Sequence, residues 1–292
     1  MTQIFNGKEF SRRIDERTRE EVRKFSELSG RSPKMTILST ISSQDQESYI
    51  RSKTKKATLL GVDTEVIRIP YNMSESDIIE QISNLNRSKD IDSIILESPL
   101  RPNLNQFKLC MTIDPKKDVD SQNPLNEGLI LMNKGSVFPA TASAIKAIIE
   151  TLNLEPGSEI LIINRSNIIG RPLSMMLLNS NFTVTICHSK TGNLGKIMGS
   201  AKTVVTAIGK YNHFSRKDFM EGVNIVDAAI NFNEGKMSGD CDLTSLVDNM
   251  VILGLRPDNS EKFLTSSLVL SSMCLENSLP LKICVILYHS TL

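Results

Sequence analysis

Apolar and polar positions repeat along this chain with two periods, one near 3.6 and one near 2. Phe10, Ile14, Val22, Phe25 and Leu28 fall at roughly helical spacing in a charge-rich stretch, which predicts an amphipathic helix over Phe10–Leu28 with one buried stripe. Gly30 and Pro33 end it, and Met35–Thr40 follows as a short β run. Gln46–Leu60 reads as the next helix, closed by Gly61, and Val62–Pro70 as a strand. Ser74 with Asp77 resembles a capping box for a helix over Asp77–Leu85, and Ile91–Leu96 is a buried strand. Helix and strand alternating in this way predict an α/β domain with a parallel sheet. Glu97–Gly128 breaks the rhythm. It holds Ser98-Pro99-Leu100-Arg101-Pro102 and then Lys116-Lys117-Asp118-Val119-Asp120. Prolines and clustered charges at a strand end predict a loop, the place where α/β proteins carry function.

The second half opens with a helix over Thr141–Leu152 and a Pro156-Gly157 turn. Ile160–Ile163 is then a β run and Asn164–Gly170 a tight polar turn. Pro172 suits a helix start, since its missing N–H is no loss in a first turn. That helix carries Leu173, Met176 and Leu177 on one face, Asn179–Asn181 end it, and Phe182–Cys187 is a second strand. The result is a βαβ unit, whose first turn is where such folds hold a dinucleotide pyrophosphate. The usual G-x-G-x-x-G is absent and only Gly170 remains, so the spacing alone is equally compatible with a βαβ unit that binds nothing. The end of the second strand favours a ligand, and a particular one. NAD sites place Asp or Glu there for the ribose 2′-hydroxyl. This chain has Cys187, His188, Ser189 and Lys190, with Arg165 in reach from the first turn. A cation and hydroxyls suit a 2′-phosphate, so NADP is the expected dinucleotide. Strands follow over Thr203–Ile208, Asn224–Ile230 and Val251–Leu255, with a hairpin turn at Phe232–Lys236. Leu264–Leu275 reads as a helix and the apolar tail Ile283–Tyr288 as β-like.

Composition narrows the class. A length of 292 residues suits two domains, and 40% hydrophobic with 23% charged residues is ordinary for a soluble globular protein. A net charge of +1, few aromatics and no Trp argue against nucleic acid as a partner. The five cysteines show no C-x-x-C and the three histidines lie far apart, so neither a metal site nor a disulfide framework is expected. MTQIFNGKEF lacks a signal-peptide h-region and no apolar run is long enough for a transmembrane helix, which together with scattered thiols predicts a cytoplasmic protein.

Tyr49 and Lys53 lie four apart on one predicted helix and share a face. Such a pair can move a proton, although a surface lysine beside a half-buried tyrosine has the same spacing. Asp120 can take the amino and amide N–H groups of a heterocycle, or it belongs to a solvated charge run. Together with longer stretches, these residues resemble one family. Tyr49-Ile50-Arg51-Ser52-Lys53 is similar to its Y-V-x-x-K helix, Ile94–Leu100 to I-L-V-Q-L-P-L, and Lys117–Asp120 with Pro124, Asn126 and Gly128 to K-D-V-D-G-x-x-P-x-N-x-G. Phe138–Thr141 resembles P-C-T-P, and Arg165-Ser166 with Ile169-Gly170 and Pro172 resembles G-R-S-x-x-V-G-x-P. Cys187–Thr191, Val205–Lys210, Asp227 with Ile230-Asn231, and Gly239–Asp242 follow in the family's order.

The family is the bifunctional methylenetetrahydrofolate dehydrogenase/cyclohydrolase, and the resemblance covers about residues 5–252. It implies two α/β domains with a cleft between them. Residues 1–139 with 266–292 would form the folate-binding catalytic domain, and 140–265 a Rossmann-type NADP-binding domain. It implies oxidation of 5,10-methylenetetrahydrofolate with NADP, hydrolysis of the product to 10-formyltetrahydrofolate, and a homodimer. By position Lys53 would be the catalytic lysine, with Glu97 beside it and Tyr49 as its partner and a stacking surface. Asp120 would bind the pterin, with Ser98, Pro99 and Leu100 lining the substrate. Asn164, Arg165, Ser166, Ile169, Gly170, His188, Ser189, Lys190, Ala207, Ile208, Gly209 and Ile230 would line the NADP site.

The chain also departs from the pattern. Glu97 replaces a glutamine; an ionised carboxylate there favours the ammonium form of Lys53, and weakened hydrolysis with hydride transfer kept is expected. Ser121 and Asn164 replace glycines, so a loop that needed positive φ must reshape. Ala140, Ala142 and Ala144 remove most of P-C-T-P-x-G. The glycine-rich loop after the last strand is replaced by Ile252–Glu261. That loss keeps open a second class, a catalytically impaired homologue that binds folate or nucleotide.

Overall fold

The computed structural model describes residues 3–4, 7–41, 43–233, 236–246, 251–254, 264–275 and 279–290. In chain order the elements are β1 (Gln3–Ile4), α1 (Gly7–Ser29), β2 (Lys34–Ser39), α2 (Gln44–Leu59), β3 (Asp63–Arg68), α3 (Glu75–Arg87), β4 (Ser93–Leu96), α4 (Gln106–Thr112) and α5 (Pro124–Leu131). Then come α6 (Ala140–Glu150), β5 (Glu159–Ile163), α7 (Gly170–Asn179), β6 (Thr183–Cys187), α8 (Leu194–Met198), β7 (Thr203–Thr206), β8 (Asn224–Asp227), β9 (Asn231–Asn233), β10 (Lys236–Ser238), β11 (Val251–Gly254), β12 (Leu264–Leu275) and β13 (Leu279–Ser290). The chain divides into two compact units: Ser11–Ala140 with Ser267–Leu292, and Met1–Phe10 with Thr141–Ser266.

In the first of these units β3, β2 and β4 form a parallel sheet in that order, with Met35 opposite Thr64 on one side and Ser93 on the other. Successive residues of β2 and β4 serve two cores, as the period of a strand requires. Met35, Ile37 and Ile95 pack with Val22 and Phe25 of α1 and Ile50 and Ala57 of α2. Leu38, Ile94 and Leu96 pack with Ile78 and Ile82 of α3 and Leu109 of α4. Each such apolar side chain contributes roughly 1.5–3 kcal/mol by leaving water. A sheet buried on both faces reads as a continuous apolar run, which is why Ile94–Leu96 shows no alternation.

In the other unit β1-β11-β8-β7-β5-β6 form a six-stranded sheet whose named pairs are all parallel. Leu161, Ile163, Val204 and Ile225 pack with Phe214 and Phe219 on one side of it. From β5 the chain steps outward to β6 and then back to β7 on the opposite side of β5, so the strand order reverses between β5 and β7. In open α/β sheets a ligand lies at the carboxyl ends of the strands at such a reversal.

The expected helices and strands through Cys187 are present with shifted ends. The stretch read as loop, Glu97–Gly128, contains α4 and most of α5, each too short to show a period and each started by an asparagine cap, Asn105 and Asn123. Ser43 and Ser74 cap α2 and α3 in the same way. β9 and β10 pair antiparallel across the expected hairpin, whose turn residues 234–235 lie outside the described residues. Leu264–Leu275 is not the expected helix but strand β12, paired with β13. Its Thr265-Ser266-Ser267 and Ser271-Ser272 are weak helix formers, and Val269 is β-branched, so an extended partner decides the outcome. The replaced glycine-rich loop lies from residue 255 onward outside the described residues.

Candidate functional site

Lys53 and Tyr49 sit one turn apart on α2. Glu97 follows the last residue of β4, where its backbone N–H donates to Leu38 C=O at 2.9 Å. Lys53 Nζ donates to Glu97 Oε2 at 2.6 Å, with the two side chains only 17% and 7% exposed. The helix thus delivers an ammonium group to the carboxyl end of the parallel sheet and the strand delivers the carboxylate that meets it. A pair this close and this sheltered from solvent is an ion pair that water does not readily open. Tyr49 is 37% exposed, so part of its ring faces outward.

The loop after Glu97 is held from several sides. The Ser98–Pro99 peptide is cis. Gln46, buried on α2, donates from Nε2 to Pro99 C=O at 3.1 Å and accepts from Ser39 Oγ at 3.0 Å. Arg101 is buried, and its guanidinium donates to the carbonyls of Pro70, Tyr71 and Met73, tying this loop to the one after β3. Leu100 packs partly into the Leu38 core, while Pro99 is exposed.

Asp120 is half-buried, and its Oδ2 accepts from Gln122 Nε2 at 3.1 Å. The same Gln122 amide donates to Leu96 C=O at 3.4 Å, and its Oε1 accepts from Gln106 Nε2 at 3.4 Å. Gln106 Nε2 also donates to Ser98 Oγ at 3.3 Å. Ser98 and Asp120 are therefore linked through two glutamines that the sequence reading does not single out. Gln46 and Gln106 carry no local signal, because their partners are 7–53 residues away, and the short-range bond of Gln122 to Asp120 two residues back depends on the path of the loop. Below them, burial pushes the Asp118 carboxyl up, and the N–H groups of Asn123 and Gln122 with the Asn126 amide oppose that shift. Burial pushes the neighbouring Cys110 thiol up to about 12. Ser121 holds φ +52. At the position where the family has glycine, the serine occupies the left-handed conformation.

In the other unit the candidate residues follow strand ends. Asn164, Arg165 and Ser166 leave β5, His188–Lys190 leave β6, Ala207–Gly209 leave β7, and Ile230 comes after β8. All lie at carboxyl ends of neighbouring parallel strands. Gly170 is buried at the start of α7, and a Cβ there would fall 2.1 Å from the Asn164 carbonyl oxygen, so only glycine lets the helix approach the strand this closely. Asn164 is not one of the residues at positive φ, so its departure from glycine brings no backbone strain. Its side chain instead orders the turn. Oδ1 accepts from Ser166 N–H at 2.8 Å, Ser166 Oγ at 2.8 Å and Gly170 N–H at 3.0 Å, and Nδ2 donates to Ala207 C=O at 2.5 Å. Ile169 N–H donates to Ser166 Oγ at 3.1 Å and Arg171 N–H to Ser166 C=O at 3.1 Å. These backbone donors are thus used within the turn, where the sequence alone suggested a pyrophosphate.

After β6, His188 N–H donates to Thr191 Oγ1 at 2.9 Å and His188 Nδ1 accepts from Lys190 N–H at 3.1 Å, a tight turn that leaves Ser189 and Lys190 exposed. After β7, Asp240, fully buried, accepts from Thr206 Oγ1 at 2.8 Å, Ile208 N–H at 2.6 Å, Lys210 N–H at 2.8 Å and Asn231 Nδ2 at 3.2 Å. One carboxylate thus fixes the Ala207–Gly209 loop and connects it to the residue after Ile230. Asp240 is a scaffold residue legible only as part of the Gly239–Asp242 motif. The residues fit a dinucleotide: a glycine-dependent helix start, a cation at Arg165, and hydroxyl and ammonium groups at Ser189 and Lys190 where an NAD site has an acid.

Comparison with known proteins adds the family. The family model for the tetrahydrofolate dehydrogenase/cyclohydrolase catalytic domain matches residues 5–120, and that for its NAD(P)-binding domain matches residues 139–256. The bifunctional protein FolD of Clostridium botulinum (strain Alaska E43 / Type E3) is 34% identical over 277 residues, 94% of this chain and 97% of the relative. That of Picrophilus torridus is 36% identical over 245 residues, 84% and 87% of the two chains. Among solved structures, the bifunctional 5,10-methylenetetrahydrofolate dehydrogenase/cyclohydrolase of Thermoplasma acidophilum is similar at 30% identity and a TM-score of 0.78, covering 86% of this chain and 90% of its own. FolD of Campylobacter jejuni is similar at 27% identity and a TM-score of 0.83, covering 87% and 91%.

Proposed function

The chain belongs to the tetrahydrofolate dehydrogenase/cyclohydrolase family, and from that premise we propose that it oxidises 5,10-methylenetetrahydrofolate to 5,10-methenyltetrahydrofolate with NADP and hydrolyses the product to 10-formyltetrahydrofolate. The observation that carries this reading is the sheltered Lys53–Glu97 pair at 2.6 Å, placed at a sheet end beside the loop that carries Asp120. NADP, when bound, accepts the hydride. The protein's own part is to orient the folate: Asp120 takes pterin N–H groups, the exposed part of Tyr49 offers a ring to stack on, and Ser98, Pro99 and Leu100 shape the edge. Arg165, Ser189 and Lys190 meet the 2′-phosphate, and Ile208 and Ile230 present apolar surface to the nicotinamide.

The second step consumes water and releases a proton, so it needs a group able to accept one. The Lys53 nitrogen is already engaged by the Glu97 carboxylate at 2.6 Å, and hydrolysis is expected to be the weaker of the two activities. In Glu97→Gln the ratio of hydrolysis to dehydrogenation is expected to rise by about a hundredfold, the lower end of a general-base contribution. An unchanged ratio, from separate assays of NADPH formation and methenyl loss, sinks this part. Folded protein that reduces neither NADP nor NAD with 5,10-methylenetetrahydrofolate moves the reading to a binding-only homologue.

The folate-binding catalytic domain is assigned to Ser11–Ala140 with Ser267–Leu292, and the dinucleotide domain to Thr141–Ser266 with Met1–Phe10, since β1 pairs with β11 of its sheet rather than belonging with the expected 1–139. The protein works as a homodimer in the cytoplasm, supplying one-carbon units of the kind purine synthesis consumes. Support for the dimer is β6, an edge strand with Thr183, Thr185 and Ile186 exposed. Support for the compartment is the free state of Cys110, Cys187 and Cys241. Sedimentation at the mass of a single chain at micromolar concentration overturns the dimer.

A further inference from the structure

Asn164 joins the loops that leave β5 and β7, two strands paired parallel as far as Ile163 and Thr206, and its side chain carries the connection one residue beyond the end of that ladder. Its amide oxygen collects three donors of the β5–α7 turn, Ser166 N–H, Ser166 Oγ and Gly170 N–H. Its amide nitrogen reaches the other way, to Ala207 C=O at 2.5 Å, the first residue after β7. β5 and β7 flank the reversal of strand order, so this bond crosses the place where a dinucleotide lies in such sheets. On the far side of that bond, Asp240 holds Ile208 and Lys210 through their N–H groups. The path from Ser166 through Asn164, Ala207 and Ile208 to Asp240 is continuous.

We propose that Asn164 is a positioning residue for the dinucleotide: its amide clamps the β5 loop to the β7 loop across the strand-order reversal, so that Arg165, Ser166 and Ile208 stand in place before the nucleotide arrives. This rests on the dinucleotide reading of the site. A glycine here lacks the clamp and leaves the turn to order on binding, at a cost in affinity. The clamp predicts a division of effects: the grip on NADP depends on Asn164, while folate binding and the rate at saturating NADP do not.

The test is direct NADP binding by calorimetry to the full-length protein and its Asn164→Ala, Asn164→Asp and Asn164→Gly variants, with KM for both substrates and kcat. Asn164→Asp keeps acceptors for Ser166 and Gly170 but sets a carboxylate against the Ala207 carbonyl, so it separates the clamp from the turn and stands in if the alanine variant does not fold. The expected result is an NADP Kd and KM raised about tenfold or more in Asn164→Ala and Asn164→Asp, with kcat and the folate KM within about twofold. Wild-type affinity in Asn164→Asp overturns the clamp and leaves only a turn-forming role. Tighter NADP binding in Asn164→Gly also overturns it, because the amide would then be occupying donors the pyrophosphate needs. Wild-type protein that binds no NADP overturns the dinucleotide reading itself, a failure distinct from the other two.

Discussion

Ser121 and Cys110 show how far a single residue can be read. A serine at φ +52 costs roughly 1–2 kcal/mol, and its buried hydroxyl has no hydrogen-bond partner. Glycine relieves both but adds flexibility to the unfolded chain. Ser121→Gly is therefore expected to stabilise the protein by about 1 kcal/mol in urea unfolding. That a serine stands where the family has glycine was visible in the K-D-V-D motif; that it sits at positive φ was not. Cys110 is buried and donates its S–H towards Gln122 Oε1 at 3.5 Å. With its thiol pushed up to about 12, only about one molecule in ten thousand carries a thiolate at pH 8. The native protein should leave Cys110 unlabelled by iodoacetamide at pH 8, with labelling only after denaturation, as read by peptide mass spectrometry.

At the scale of elements, α1 and α2 are joined by Asp15 and Lys56, an ion pair buried at both ends. Burial pulls the Lys56 ammonium down, while Asp15 opposes the shift. Removing one partner of such a pair strands the other, so Lys56→Met is expected to destabilise by about 3 kcal/mol. The double variant Asp15→Leu, Lys56→Met should recover most of that loss, since an apolar pair of similar volume needs no desolvation of charge. Chemical denaturation of both variants checks this, and a double variant no better than the single one refutes it. The pair was invisible in sequence because its members are 41 residues apart and both lie in charge-rich helices. The helices themselves were legible, since the stripe of Val22 and Phe25 in α1 and the Gly61 stop after α2 act within a few residues, although the Ser43 cap of α2 was not read.

The whole molecule has two α/β units, one with the Lys53–Glu97 pair and one with the loops around Asn164. A ligand that binds only the folded state adds about 2.7 kcal/mol at a hundred times its Kd. NADP at that concentration is expected to raise the melting temperature by several degrees, and NAD at the same concentration by less. Equal shifts with the two would refute the assignment of Arg165, Ser189 and Lys190 to the 2′-phosphate. Salt adds a second check, because a charge-based preference for NADP weakens as ionic strength rises.

The sequence by itself determined the α/β class, most of the elements through Cys187, the family, and the residues at each strand end. Those depend on periodicity, capping and motif order, all properties of neighbours along the chain. Only the tertiary structure decided that Lys53 meets Glu97, that Gln106 and Gln122 link Ser98 to Asp120, that Asp240 fixes the Ala207–Gly209 loop, and that Asn164 bonds to Ala207. It also decided that Leu264–Leu275 is extended. The reason is common to all of these: each bond or pairing joins groups brought near by sheet order or by a loop's path, and a chain read one window at a time holds no trace of which distant group will stand at hydrogen-bond distance.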